Sequence, residues 1–445
     1  MQRAAIILCL LALAAPAGAQ DDWGDDVGFG EGGDDAAFDF EVPDTATEAP
    51  PPPSDWSLIG FARSDVGLWV ERFDDNPFAK ARQSLDLQFD WANAGWRVRV
   101  AQQAAWDAAY LYERDTYDDA TIRDYELRFI GGEQFVAYAA GPVEVTLGRQ
   151  IVAWGEGDVL SPLDVVNPRD LREPGLADLD DLRLSVLASR VGVFFGAHRF
   201  EVMGIHEAYY GERPPPLAPF SPFAAVIGGD PTVAMLLAGK SFDYAHDPER
   251  FDLEGHEVLG RWVYKGPGLD AGLHVAWVRD DQGVVVLPTG LALLAQDHID
   301  VRLEHRRYLT GGLSAATAFG DWVLKWEVAG ELDRAYNSGD VSAAIPMLDV
   351  DEIDTVTAMA GATWRGVTDL TVGVEAQRGI VVDGPDDLLF PVDAPIGALR
   401  VSYVALRERL MLAGAATAFG LSAQYGWLAR GEATWELTQG LDVGV

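Results

Sequence analysis

Cysteine is the first thing this sequence lacks. The one cysteine in 445 residues, Cys9, lies in the apolar core of an N-terminal leader. The mature chain is therefore expected to hold no disulfide, no reactive thiol and no Cys-based metal site. Ile6-Ile7-Leu8 precede Cys9 and more apolar residues follow it, so it does not read as a lipid-anchor cysteine. Lysine is almost as scarce: Lys80, Lys240, Lys265 and Lys325 are the only four, and arginine supplies the rest of the 33 bases. Arginine suits fixed pairs with carboxylates in an enclosed space better than lysine does, although a GC-rich gene gives the same bias. Positive charge as a whole is in short supply. Seventy acids leave a net charge of −37, which repels nucleic acid and excludes it as a partner. Beyond the leader there is no run of about 18 apolar residues, so no helix is expected to span a membrane.

Enzymatic signatures are missing too. The seven histidines (His198, His206, His246, His256, His274, His298 and His305) are scattered, and none forms HExxH. No G-x-S-x-G elbow and no C-x-x-C-H haem site occurs. The glycine-rich Gly28-Phe29-Gly30-Glu31-Gly32-Gly33 sits in an acidic tail, not between a strand and a helix, so it is no nucleotide loop. No catalytic residue, cofactor or metal is expected. A triad assembled from distant Ser, His and Asp in a barrel wall is the residual enzymatic alternative.

What the sequence does have is a leader, a tail and a long alternating body. Residues 1–19 read as a signal peptide: Arg3, an apolar stretch from Ala4 to Ala15, and the small-residue end Ala17-Gly18-Ala19. Residues 20–56 carry twelve acids, no base and the run Pro50-Pro51-Pro52-Pro53. They read as a disordered periplasmic tail. From residue 57 to 445 apolar and polar residues alternate in short stretches. Leu85, Leu87, Phe89 and Trp91 alternate with Ser84, Asp86, Gln88 and Asp90. The same period of two marks 96–100, 124–129, 143–148, 273–277, 299–304, 324–328, 370–377, 399–403 and 425–437. Alternation alone fits a soluble sandwich with charges outside, or a membrane barrel with charges inside. The leader, strand lengths near ten residues and Trp96, Trp364 and Trp435 near strand ends favour the barrel. The expected fold is all-β: a transmembrane antiparallel up-and-down barrel of roughly 14–18 strands with long loops and segments able to plug the lumen. Residues 152–190, 212–245 and 283–297 break the alternation and read as those loops or plugs. Short helices are expected at 177–183 and 233–238.

One of these segments carries a recognisable block. Gly148-Arg149-Gln150 is followed by Trp154-Gly155-Glu156 and then by Asn167-Pro168-Arg169-Asp170-Leu171-Arg172. With weaker matches at His305–Tyr308, Gly320–Leu324 and Tyr425–Leu428, it resembles a family of proteobacterial outer-membrane barrels classed as a domain of unknown function. That resemblance spans about residues 57–445. It implies an outer-membrane setting, neighbouring RND-type (MMPL-like) exporters with a periplasmic or lipoprotein partner, and the movement of hydrophobic or amphipathic molecules. The site candidates are Arg149, Gln150, Trp154, Glu156, Asn167, Arg169, Asp170 and Arg172. Arg149 is expected to pair with Glu156 or Asp170 inside the barrel, because an enclosed arginine needs a carboxylate. The plainest role of the block is to pin a long loop across the lumen. Contact with a transported molecule and docking of a partner are the alternatives.

The sequence thus points to an outer-membrane conduit or accessory barrel of a Gram-negative bacterium, embedded in lipid and inserted by the barrel assembly machinery. A general porin for small polar solutes and a sheath around a partner protein are the rival readings. At the C-terminus, Leu441–Val445 is too short to span and does not end on an aromatic residue, so a truncated closing strand is expected.

Overall fold

The fold is described from a computed structural model covering residues 55–69, 78–112, 114–174, 182–218, 220–221, 235, 238–286, 296–340, 347–385, 387–389, 391–438 and 440–444. The leader, nearly all of the acidic tail, residues 177–181 and most of 233–238 lie outside these described residues, and with them both expected short helices.

Twenty strands follow one another: β1 (Trp56–Leu68), β2 (Phe78–Asn93), β3 (Trp96–Asp107), β4 (Leu127–Ala140), β5 (Val143–Gln150), β6 (Val186–Phe195), β7 (His198–Ile205), β8 (Ser241–Asp247), β9 (Glu257–Gly266), β10 (Leu269–Arg279), β11 (Val284–Val286), β12 (His298–Glu304), β13 (Arg307–Phe319), β14 (Trp322–Asp340), β15 (Met347–Val367), β16 (Leu370–Asp383), β17 (Ile396–Ala405), β18 (Leu410–Phe419), β19 (Gly426–Thr438) and β20 (Leu441–Gly444). Seventeen of them form one sheet in which each strand pairs antiparallel with the next. The other three, β11, β12 and β8, form a small separate sheet. Two short helices, α1 (Ala109–Tyr112) and α2 (Asp119–Tyr125), bridge β3 to β4.

One end of the large sheet is made of tight turns. Ala94 and Gly95, at φ 49° and 84°, close β2 onto β3; positive φ at both positions gives the twist that hairpins favour. A side chain at position 95 would also collide with the Ala139 carbonyl, so glycine is required there. The other end carries the long connections, including 108–126, 151–185 and 206–256.

Burial settles which face is which. Leu85, Leu87 and Phe89 of β2 are exposed, whereas Arg82, Asp86 and Gln88 on the same strand are buried. In β14 Trp326 and Val328 are exposed and Glu327 is buried; in β16 Val374 is exposed and Glu375 is buried. A soluble sheet shows the reverse. Residues 151–173 touch β2, β9, β14 and β16 from the polar face, so the sheet curves around them as a barrel with an apolar exterior. Exposed aromatics mark two levels on that exterior. Trp56, Trp96, Tyr138, Trp322 and Trp435 lie towards the tight turns, and Trp106, Trp277 and Trp427 towards the long loops. Trp96 and Trp106 are ten residues apart on β3. At about 3.3 Å per residue and a tilt near 40°, that is roughly 25 Å of height, the apolar band of a transmembrane barrel. The chain is thus an all-β transmembrane barrel, and the 17 wall strands among the described residues fall within the expected range.

Three expectations need correction. Residues 299–304 are not in the barrel wall. They form β12, which pairs in parallel with β8, and Ile299, Val301 and Leu303 are each only 1% exposed. Ile299 and Val301 face a small interior cluster with Phe242 rather than lipid. Tyr125 does not belong to a strand at 124–129. It ends α2, fully buried, with its hydroxyl donating to the Arg172 carbonyl at 2.6 Å. Residues 284–286, read as a loop or as a segment folded into the lumen, form β11 against β12. The barrel opens one residue before the expected boundary, at Trp56. Among the described residues β1 pairs only with β2, and β20 only with β19.

Candidate functional site

The segment between β5 and β6 leaves the wall at Ile151 and folds into the lumen. Asn167 fixes both of its ends. Its side-chain carbonyl accepts from the Val152 N–H at 2.7 Å, and its amide donates to the Gln150 carbonyl at 3.0 Å and the Leu184 carbonyl at 2.8 Å. Buried Gln150 donates to the Ala188 carbonyl across the ladder at 3.0 Å. Four residues on, Trp154 anchors an apolar cluster. It packs with Val152 and Val166 against the inward-facing Met203 of β7, Leu259 of β9 and Ala276 of β10, and lies 5.2 Å from the His274 ring. Arg261 of β9 donates to the Ala153 carbonyl at 3.1 Å.

The next turn is held by two wall carboxylates. Glu327 of β14 accepts from the N–H groups of Glu156 at 2.5 Å and Gly157 at 2.8 Å, and from the Ser161 hydroxyl at 2.9 Å. Glu375 of β16 accepts from the N–H groups of Asp158, Val159 and Leu160 at 2.6, 2.9 and 2.7 Å. Successive backbone N–H groups wrapped around a carboxylate form an anion nest. Gly155, at φ 89°, makes the first turn. A Cβ there would collide with the Ser161 hydroxyl and the Glu327 carboxylate, which explains the glycine between Trp154 and Glu156. The Lys325 ammonium pairs with Asp158 beside this nest. Glu156 thus contributes its backbone to the pin; burial, reinforced by Asp270, raises its carboxyl above the usual range.

Ion pairs hold the returning half. Asp164 bridges Arg169 at 3.1 Å and Arg183 at 2.9 Å. Asp170 pairs with Arg172, which also donates to the Asp124 carbonyl at 3.1 Å. Glu173 pairs with Arg82 of β2, which also meets Asp107 at 3.1 Å. Burial alone would raise both acids. The Arg172 guanidinium reverses this at Asp170, and Arg82 does so at Glu173, so both stay below the ordinary carboxylate range.

Arg149 departs from its expected pairing. It lies across the ladder from Leu187, which faces outward. Its guanidinium turns towards the loops, meeting Glu207 at 2.7 Å and Ser185 Oγ at 3.1 Å. Neither Glu156 nor Asp170 is its partner; Asp170 is taken by Arg172. Of the other candidates, Gln150, Trp154, Glu156, Asn167, Arg169, Asp170 and Arg172 all lie in or bound the inward segment. The residues that receive the segment were missed as partners: Glu327, Glu375, Arg82 and Arg261, the last held by Glu201. Glu201 sits amid Arg199 at 2.7 Å, Arg261 at 2.9 Å and Arg190 at 3.9 Å. The alternation already turned Glu327 and Glu375 inward, but nothing in it joins them to a loop about two hundred residues away. Among the described residues no cluster of acids and histidines is built to hold a metal.

The barrel is similar in outline to solved porins. The Salmonella typhi OmpF complex with daunomycin matches at TM-score 0.44 and 10% identity, over 84% of this chain and 94% of that one. Pseudomonas aeruginosa OccK2 (OpdF) in complex with glucuronate matches at 0.41 and 12%, over 87% and 89%. The outer membrane channel DcaP of Acinetobacter baumannii matches at 0.40 and 9%, over 87% and 93%. Likeness at this level says nothing about solutes. No curated protein matches the chain in sequence. The profile described as "Protein of unknown function (DUF1302)" covers residues 78–436, from β2 to near the end of β19, and the chain belongs to that family.

Proposed function

We propose that this barrel is a closed conduit or accessory component of the outer membrane, serving small hydrophobic or amphipathic molecules, and that it acts by binding without covalent chemistry. The observation that carries this reading is the packed level of the lumen. Trp154, Val152 and Val166 sit against Met203, Leu259 and Ala276, at inward positions where an open porin carries polar groups and water. A general porin needs that level wet, and a sheath needs it vacant for a partner chain. Here it is occupied by the chain's own apolar residues, pinned on the far wall by Glu327 and Glu375. A closed barrel needs another component to open or load it, and the family resemblance points to an exporter of RND type and a periplasmic or lipoprotein partner for that part. Conductance in planar bilayers tests the reading. Purified barrel should insert without a steady open current; a large, constant ohmic current would favour the porin instead.

A further inference from the structure

The barrel wall has a notch. β5 ends at Gln150, and its ladder with β4 reaches only the Gln134–Arg149 pair. Beyond that pair, residues 127–133 of β4 have a strand neighbour on one side only, β3. A cavity of about 430 Å³ fills the place of the missing strand. Leu127 and Phe129 line it, and so does Arg128 between them. Leu127 and Phe129 point outward, 54% and 71% exposed, whereas Arg128 points inward and is buried. Side chains from both faces of one strand can share a cavity only at the strand's edge. The cavity therefore runs from the lipid side to the interior around the free edge of β4.

Its chemistry opposes that of the rest of the molecule. In a chain with 70 acids and 33 bases, this cavity is lined by five arginines against Asp124 and Glu212. Carboxylates behind the lining hold the guanidinium groups in place: Glu207 meets Arg149 at 2.7 Å and Arg250 at 2.9 Å, and Asp170 pairs with Arg172. Arg123 is tied to Asp124 and Asp243. Arg250 lies 4.1 Å over the Tyr209 ring. Arg128 is the least satisfied. It is 7% exposed, its carboxylate contact to Glu173 is 3.6 Å, and its Nε has no hydrogen-bond partner among the described residues. A buried donor left open beside a cavity calls for an acceptor. The height matters as well. Leu127 pairs with Trp106, one of the aromatics towards the long loops, so the notch opens where the apolar band meets the interface.

We infer that the notch binds the anionic head group of an amphiphile, a carboxylate, phosphate or sulfate, whose apolar tail lies along Leu127 and Phe129 in the membrane. This deepens the conduit reading and rests on it: the molecule would enter or leave sideways through the wall rather than along the packed lumen. The same head-group chemistry belongs to a diffusing amphiphile and to a resident anionic lipid, and the test separates the two.

The experiment uses the full barrel in nanodiscs of zwitterionic lipid, titrated with dansyl-labelled undecanoic acid and with its methyl ester. The acid should bind saturably and the ester about tenfold or more weaker, the loss expected on removing a charge-assisted hydrogen bond. Arg250→Gln, at the cavity mouth, should weaken the acid by several-fold while the heat-modifiable folded band persists. Arg128→Gln should weaken it further, and Arg128→Lys, which keeps the charge, should restore part of the loss. Anionic phospholipid added to the nanodisc should compete if the natural occupant is a lipid, and leave the titration unchanged if it is a free amphiphile; either result supports the head-group site. Equal binding of acid and ester, or arginine variants that bind like the parent while folded, would overturn it. Current across planar bilayers judges the conduit reading separately. Acid-selective binding by a barrel with a large, constant open current leaves the notch and removes the closed conduit, and a silent barrel that binds acid and ester equally does the reverse.

Discussion

At the scale of single residues, Asn167 ties the inward segment most economically. One side chain satisfies the Val152 N–H and a carbonyl at each end of the segment. Asn167→Ala leaves one donor and two acceptors buried and unpaired, an expected cost of about 2–4 kcal/mol. The loss should fall on the segment, seen as faster proteolysis within 152–174 in detergent while the strands keep their heat-modifiable migration. Asp170 and Glu173 set the pH dependence. Both carboxyls are held below their usual values in the folded chain. Their contribution is therefore full above the unfolded values of about 3.9 and 4.3 and is lost as pH falls through the depressed ones. Protection of the segment should hold from neutral pH down to about pH 4 and fade only below that. Release already at pH 6 would show that other groups govern it.

At the scale of elements, the same alternating pattern produced two different outcomes. Val275 in β10 faces outward, 53% exposed, and Val301 in β12 is buried inside. Because the mature chain is expected to lack cysteine, single-cysteine variants report cleanly. Val275→Cys should react with a lipid-soluble pyrene maleimide, and Val301→Cys should stay unlabelled until the barrel is unfolded. This pair also shows how far the sequence can be read. Period two fixes which residues share a face but not which sheet receives that face, so 299–304 was legible as a strand and not as part of the small sheet. Tyr125 kept the same period by chance, since α2 places it in the core through the Arg172 carbonyl. For Arg149, the demand for a carboxylate was readable, but its partner Glu207 lies 58 residues on in another loop, where no local pattern points. Within the block from Gly148 to Arg172, Asn167 beside Pro168 was legible as a turn starter, but the carbonyls and the N–H that its side chain ties were not.

At the scale of the whole molecule, the proposed closure of the lumen rests on two side chains that meet no cation among the described residues. Glu327 and Glu375 hold the segment through N–H and O–H donors. The double variant Glu327→Ala, Glu375→Ala should free the 156–163 turn from the far wall and turn a silent barrel into one with flickering conductance. The single variants should show less of it, and Lys325→Ala, which touches only Asp158, least of all. A double variant as silent as the parent would place closure elsewhere, in the Trp154 cluster.

The separation of these anchors also has a consequence in time. The turn at 156–160 is made well before its receptors, which lie 171 to 217 residues further along the chain. Contacts so distant in sequence form late. Through much of assembly the growing sheet therefore carries a segment held on the Trp154 side alone, and β14 and β16 must arrive before its 156–160 turn can be locked to the far wall. The barrel is built around its own stopper, so a strand-pairing defect in β14 or β16 should appear first as a segment left outside, and only afterwards as a damaged wall.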